Sequence, residues 1–167
     1  LMQPVVVAGQ ENVEEDELRP VALNINEIEP NNTKETAQSF ATIGAANPIN
    51  AELDSASDQD WFKFTAEAGQ MYVVETFNAA GAINTNQRSL QLKVFDSDST
   101  KIAEDIGDWP SGSANVNSTV AFKATNGGIY YIQIYHYTWG NRGPYSIRVL
   151  PKYDKTGSIW DENEESN

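Results

Sequence analysis

The chain has 167 residues, 40% of them hydrophobic, enough for one domain with one core. Its 24 acidic side chains against 11 basic ones give a net charge of −13, which opposes binding to nucleic acid or an anionic membrane surface and makes cations the natural small partners. There is no cysteine, which excludes disulfides, thiolate nucleophiles and sulfur-based zinc sites, and no run approaches the ~18 apolar residues that would span a membrane.

Residues 1–26 combine an apolar patch, Val5–Val7, with an acidic stretch from Glu11 to Glu17, and predict a flexible leader with room for one short strand. Lys34 to Phe40 predicts about two helical turns, with Asn32 or Thr33 as N-cap. From there the pattern is β. Trp61–Phe64 and Leu90–Phe95 alternate with period 2, and Met71–Phe77 is rich in β-branched and aromatic residues. Thr119–Phe122, Ile129–Tyr135 and Tyr145–Val149 complete the set. Turn residues bound these runs: Ala68-Gly69, Asp96-Ser97-Asp98, Asn126-Gly127-Gly128 and Gly143-Pro144. Short strands with no room for crossover helices predict an all-β, antiparallel sandwich over residues 27–150, followed by an acidic tail at 151–167.

Two segments carry the chemistry. Glu27 and Glu29 are two residues apart, and Pro30 biases Glu29 to extended backbone, so both carboxylates point to one side. Asn31 and Asn32 follow. Asp58 and Asp60 repeat the spacing before Trp61, with Asp54 and Ser55 just upstream. Calcium takes about six to eight oxygen ligands, and these two segments could supply most of them if the fold joins them. The spacing alone leaves a second reading open, that of ordinary exposed acids in the loops of an acidic chain.

Other patterns carry less. Asp96-Ser97-Asp98-Ser99-Thr100 opens like an EF-hand loop but lacks the Gly and Glu such a loop requires, and predicts a hairpin turn. Asn31-Asn32-Thr33 and Asn117-Ser118-Thr119 match the short glycosylation pattern and are given no weight. The single histidine, His136, stands without a nucleophile-elbow motif, and the carboxylate pair Asp58 and Asp60 is not accompanied by a recognisable cleft. No catalytic residue is therefore assigned, and the chain is read as a non-enzyme.

The run Glu27-Ile28-Glu29-Pro30-Asn31-Asn32-Thr33, then Ser57-Asp58-Gln59-Asp60-Trp61-Phe62, then Gly128–Ile134 and Gly143–Ile147, resembles the bacterial pre-peptidase C-terminal domain family. It is particularly similar to the collagen-binding domains of bacterial collagenases, over about residues 27–150. The resemblance implies a jelly-roll β-sandwich whose N-terminal linker is pinned by calcium. The implied ligands are Glu27, Glu29, Asn31, Asp58 and Asp60, with Ser55 and Asp54 as further candidates. It also implies a non-catalytic accessory module, secreted, cell-surface or periplasmic, joined to a peptidase domain and aiding substrate attachment, stability or export. Tyr135, Tyr137 and Trp139 fall where related domains carry a ligand-binding aromatic face for an extracellular protein or polysaccharide surface. The stretch Asp108–Ser113, with Trp109, has no counterpart in the motif. Two rival expectations are a carbohydrate-binding module using Tyr137, Trp139 and Trp109, and a small calcium-dependent hydrolase.

Overall fold

The computed structural model describes residues 25–55, 57–79, 90–105, 117–136 and 143–152. Ten strands run β1 (Ile25–Asn26), β2 (Gln38–Ser39), β3 (Ile49–Leu53), β4 (Gln59–Ala66), β5 (Met71–Phe77), β6 (Leu90–Phe95), β7 (Lys101–Asp105), β8 (Thr119–Lys123), β9 (Gly128–His136) and β10 (Gly143–Pro151). They form two sheets, β1-β3-β10-β5-β8 (sheet A) and β2-β4-β9-β6-β7 (sheet B), packed as a jelly-roll-like sandwich. Among the described residues no helix is long and apolar enough to cross a membrane.

Period-2 patterning decides which side chains meet between the sheets. Along β4, Asp60, Phe62, Phe64 and Ala66 are buried while Gln59, Trp61, Lys63 and Thr65 face outward. Leu53, Val74, Ile147 and Val149 from sheet A and Phe62, Leu92, Ile132 and Ile134 from sheet B have no exposed surface. Each such side chain contributes about 1.5–3 kcal/mol through burial. Asp60 is the exception in this pattern, a carboxylate in a core-facing position.

Two sequence expectations need correction. The helix expected over Lys34 to Phe40 is a single 3-10 turn, Lys34–Thr36, closed by a reciprocal capping box between Thr33 and Thr36. It stops because Gln38 and Ser39 pair with Phe62 and Lys63 as a sheet strand. The sandwich is not wholly antiparallel either: β1 adds parallel to β3, and β2 adds parallel to β4. Both short strands come from the segment preceding β3, which runs alongside one edge of each sheet in turn. β1 lies at the end of the stretch read as leader, and residues 1–24 and 153–167 lie outside the described residues.

The hairpin reading of Asp96–Thr100 holds. Asp96 N–H donates to the Thr100 carbonyl at 2.9 Å, and Asp96 Oδ1 accepts from the backbone N–H groups of Asp98 (2.9 Å) and Thr100 (2.8 Å).

Candidate metal centre

The segment between β1 and β2 crosses from sheet A to sheet B, and its backbone is fixed at both ends. Glu27 N–H donates to the Asn50 carbonyl at 2.8 Å, and Trp61 N–H donates to the Asn31 carbonyl at 2.9 Å. Gln38 braces the crossing: its Oε1 accepts from Ile28 N–H at 2.7 Å and its Nε2 donates to the Asn26 carbonyl at 3.2 Å. The Glu29–Pro30 peptide bond is cis.

This crossing brings the two acidic segments together. One oxygen each from Glu27, Glu29 and Asp60 lies within 4.8 Å of the others. Two oxygens bound to one calcium ion at about 2.3–2.6 Å can lie up to roughly 5 Å apart, so the three are close enough to share one. Asn31 stands between them, with its backbone N–H donating to Glu29 Oε2 at 2.9 Å and its Nδ2 to Glu27 Oε2 at 3.4 Å. Glu27 Oε1 also accepts from Glu52 N–H. The Tyr145 hydroxyl, from the opposite sheet, donates to Asp60 Oδ2.

Asn31 and Asp60 are both 0% exposed, and the Oδ1 of each has no hydrogen-bond donor. A buried acceptor without a donor is costly, and more so when it carries charge. Two such oxygens beside two further carboxylates form an all-oxygen set that fits a hard cation; nothing in the set favours a soft one.

Asp58 sits beside this set. Its Oδ2 accepts from Asp54 N–H at 2.7 Å, and its Oδ1 lies 3.1 Å from the Asn32 side-chain amide, whose nitrogen donates to it once the amide is turned to satisfy its neighbours. Ser55 and Asp54 build the turn that carries it, with Asp58 N–H donating to the Ser55 carbonyl at 3.3 Å. Asp58 thus ties the crossing segment to the loop before β4, and Ser55 and Asp54 support it from outside the cluster.

The electrostatics record the crowding. Burial, then the neighbouring Glu27 carboxylate, pushes Asp60 up to about 9. Burial likewise raises Glu27 to about 7, with Glu29 and Asp58 adding to it. Asp58 is raised by burial, and the Tyr145 hydroxyl is raised well above its usual range by burial and by Asp60. These carboxylates bind protons more tightly folded than unfolded, so without a cation their contribution is most favourable below pH ~4 and is lost as pH rises through about 7 and 9. In chelator, the melting temperature is therefore expected to fall between pH 5 and pH 9. With saturating calcium, which binds the deprotonated carboxylates, that fall should flatten or reverse. Thermal melts across pH in both buffers check this.

Of the aromatic candidates, Tyr135 lies on the outer face of sheet B, its hydroxyl 3.3 Å from Gln91 Oε1 and its ring under Lys93 Nζ at 4.7 Å. Tyr137, Trp139 and Trp109 lie outside the described residues. Sequence reasoning missed the company Tyr135 keeps: Tyr131, capped by Lys34 at 4.5 Å, and Trp61 stacked on Phe95 with centroids 5.4 Å apart. The period-2 alternation of β4 and β9 held that signal. It also missed Tyr145 as the partner of Asp60. Burial of Asn31 closes the first glycosylation match, while Asn117 Oδ1 accepts from Ala79 N–H at 3.2 Å.

Residues 58–136 match the bacterial pre-peptidase C-terminal domain family. Glu27, Glu29 and Asn31 precede the matched span. Among solved structures, the chain is similar to the pre-peptidase C-terminal domain of a collagenase from Bacillus anthracis, with 15% identity and a TM-score of 0.46 over 68% of this chain and 93% of that one. It is also similar to a periplasmic inhibitor of g-type lysozyme from Aeromonas hydrophila, with 19% identity and a TM-score of 0.43 over 69% of this chain and 96% of that one. No curated protein matches the chain.

Proposed function

From the match of residues 58–136 to the pre-peptidase C-terminal domain family, we propose that the chain is a non-catalytic, calcium-binding accessory module of an exported protein. Glu27, Glu29, Asn31 and Asp60 hold the ion, Asp58 braces them, and Asp54 and Ser55 shape the supporting turn. The observation that carries this reading is the pair of fully buried oxygens, Asn31 Oδ1 and Asp60 Oδ1, with no donor beside the Glu27 and Glu29 carboxylates. An ion there relieves repulsion among the carboxylates and fastens the segment that crosses between the sheets. The single histidine ends β9, half-buried and paired across the ladder with Leu90, and takes no catalytic part in this reading.

The module aids attachment, stability or export of a peptidase to which it is joined, outside the cell or in the periplasm. Attachment to an extracellular protein or polysaccharide surface uses the outer face of sheet B around Tyr135. A cation that binds only the folded state at a hundredfold excess over its Kd adds about 2.7 kcal/mol. The test is melting together with limited proteolysis, in calcium and in chelator. The expected result is a higher melting temperature in calcium, with cleavage before about residue 33 appearing first in chelator. Identical melts and cleavage patterns in both buffers would contradict the assignment.

A further inference from the structure

We propose that a groove on the outer face of sheet A binds a neutral, hydroxyl-rich ligand, a saccharide unit. The groove is shallow and open to solvent, with room for about 460 Å³. It lies on the opposite sheet from Tyr135 and Trp61. Asn26, Asn50, Glu52, Asn78, Pro144 and Ser146 line it. They converge from several strands: the register sets Asn26 beside Asn50, Asn50 beside Ser146, and Glu52 beside Pro144, and Asn78 directly follows β5.

Two features separate this groove from ordinary solvated sheet surface. The floor is recessed: Ser146 points away from the core, between the inward Tyr145 and Ile147, yet is only 7% exposed. Its hydroxyl donates to Asn50 Oδ1 at 3.0 Å. The wall is held in an uncommon conformation: Asn78 has φ 55°, a left-handed backbone that disfavours residues with a Cβ, asparagine least of all.

The chemistry selects the ligand class. Each asparagine amide offers both donors and an acceptor, the serine hydroxyl offers both roles, and Glu52 accepts when ionised. That set matches the mixed donor and acceptor pattern of sugar hydroxyls. The lining holds no Lys or Arg, so an anionic ligand would meet only the carboxylates of Glu52 and Glu27. The groove also touches the candidate metal centre. Glu27 lines both and accepts from Glu52 N–H, and Tyr145 lines the groove while its hydroxyl donates to Asp60. Asn50 on β3, Ser146 on β10 and Asn78 after β5 lie outside the segment that the ion fastens.

The test is an amide NMR titration of the full chain with cellotetraose, chitotetraose, maltotetraose and mannotetraose separately, and with tetralysine as a cationic control. The expected result is saturable shifts of the Asn26, Asn50 and Asn78 side-chain amides with at least one sugar. Affinity should fall about tenfold in Asn50→Ala and in Asn78→Gly, the loss of one well-made polar contact. Asn78→Gly relieves the left-handed backbone, so the fold survives it. Absence of shifts with all four sugars overturns the proposal. So do shifts centred on Tyr131 and Tyr135, shifts unchanged in both variants, or tighter binding of tetralysine. The calcium response of the melting temperature is read separately, so failure here leaves the metal assignment standing.

Discussion

Asp60→Asn is expected to raise the melting temperature in chelator and to abolish its rise in calcium. The two signs come from one cause. Asp60 occupies a core-facing position of β4 at 0% exposure, where burial penalises its charge. Asparagine has the same shape, keeps an acceptor for the Tyr145 hydroxyl and is neutral without taking up a proton, which folding otherwise forces on Asp60, so the cation-free protein gains stability. The same change withdraws a carboxylate from the cluster with Glu27 and Glu29 and weakens the ion's hold. Losing about 2.7 kcal/mol of ligand stabilisation removes a calcium-dependent rise of roughly 5–10 °C for a chain of this size. Glu29→Ala should also erase most of the calcium response, with little effect in chelator because Glu29 is exposed. Asp98→Ala, on the exposed β6–β7 hairpin, should change neither. Melts of the three variants in both buffers decide the matter. A calcium response retained in Asp60→Asn, or lost in Asp98→Ala, means the ion sits elsewhere.

Phe64→Ala is expected to lower stability by about 3–5 kcal/mol in both buffers alike. Phe64 is 3% exposed, four residues along β4 from Asp60, and its ring packs against those of Tyr72, Tyr130 and Phe122 at 5.1, 6.1 and 6.5 Å. Phe122 and Tyr130 stack on each other at 5.9 Å. Truncation opens a cavity in that aromatic cluster, which spans both sheets and cannot close without moving strands. No member of the cluster belongs to the candidate metal centre, so the loss should add to any calcium effect. Denaturant unfolding of the wild type, Phe64→Ala, Asp60→Asn and the double variant measures this. A calcium increment that differs between wild type and Phe64→Ala by more than ~0.5 kcal/mol would show the two ends of the sandwich to be coupled.

What could be read in the sequence follows from how local each signal is. Met71–Phe77 and Leu90–Phe95 are strands with the bounds their patterning predicts, because alternation and β-branching act within one strand. β7, Lys101–Asp105, was not legible: it is an exposed edge of charged residues with little apolar alternation. β1 and β2 have two residues each, too few for any period, and β2 falls where helix formers cluster. The meeting of Glu27 and Glu29 follows from their spacing, and their meeting with Asp60 was suggested only by the family resemblance. The Tyr145 hydroxyl reaches Asp60 across 85 residues of sequence, and no local pattern carries such a contact. Nothing local to Asn31 signals burial; its 0% exposure comes from the crossing between sheets.

The central claim is that Glu27, Glu29, Asn31 and Asp60 hold one hard cation at the crossing between the sheets. The most direct test is calorimetric titration of calcium into chelator-stripped protein near neutral pH, with Asp60→Asn in parallel. The account predicts saturable, stoichiometric binding accompanied by proton release, since Glu27 and Asp60 retain protons there without the ion. That binding should be lost in Asp60→Asn. No saturable binding, or equal binding by Asp60→Asn, would contradict it.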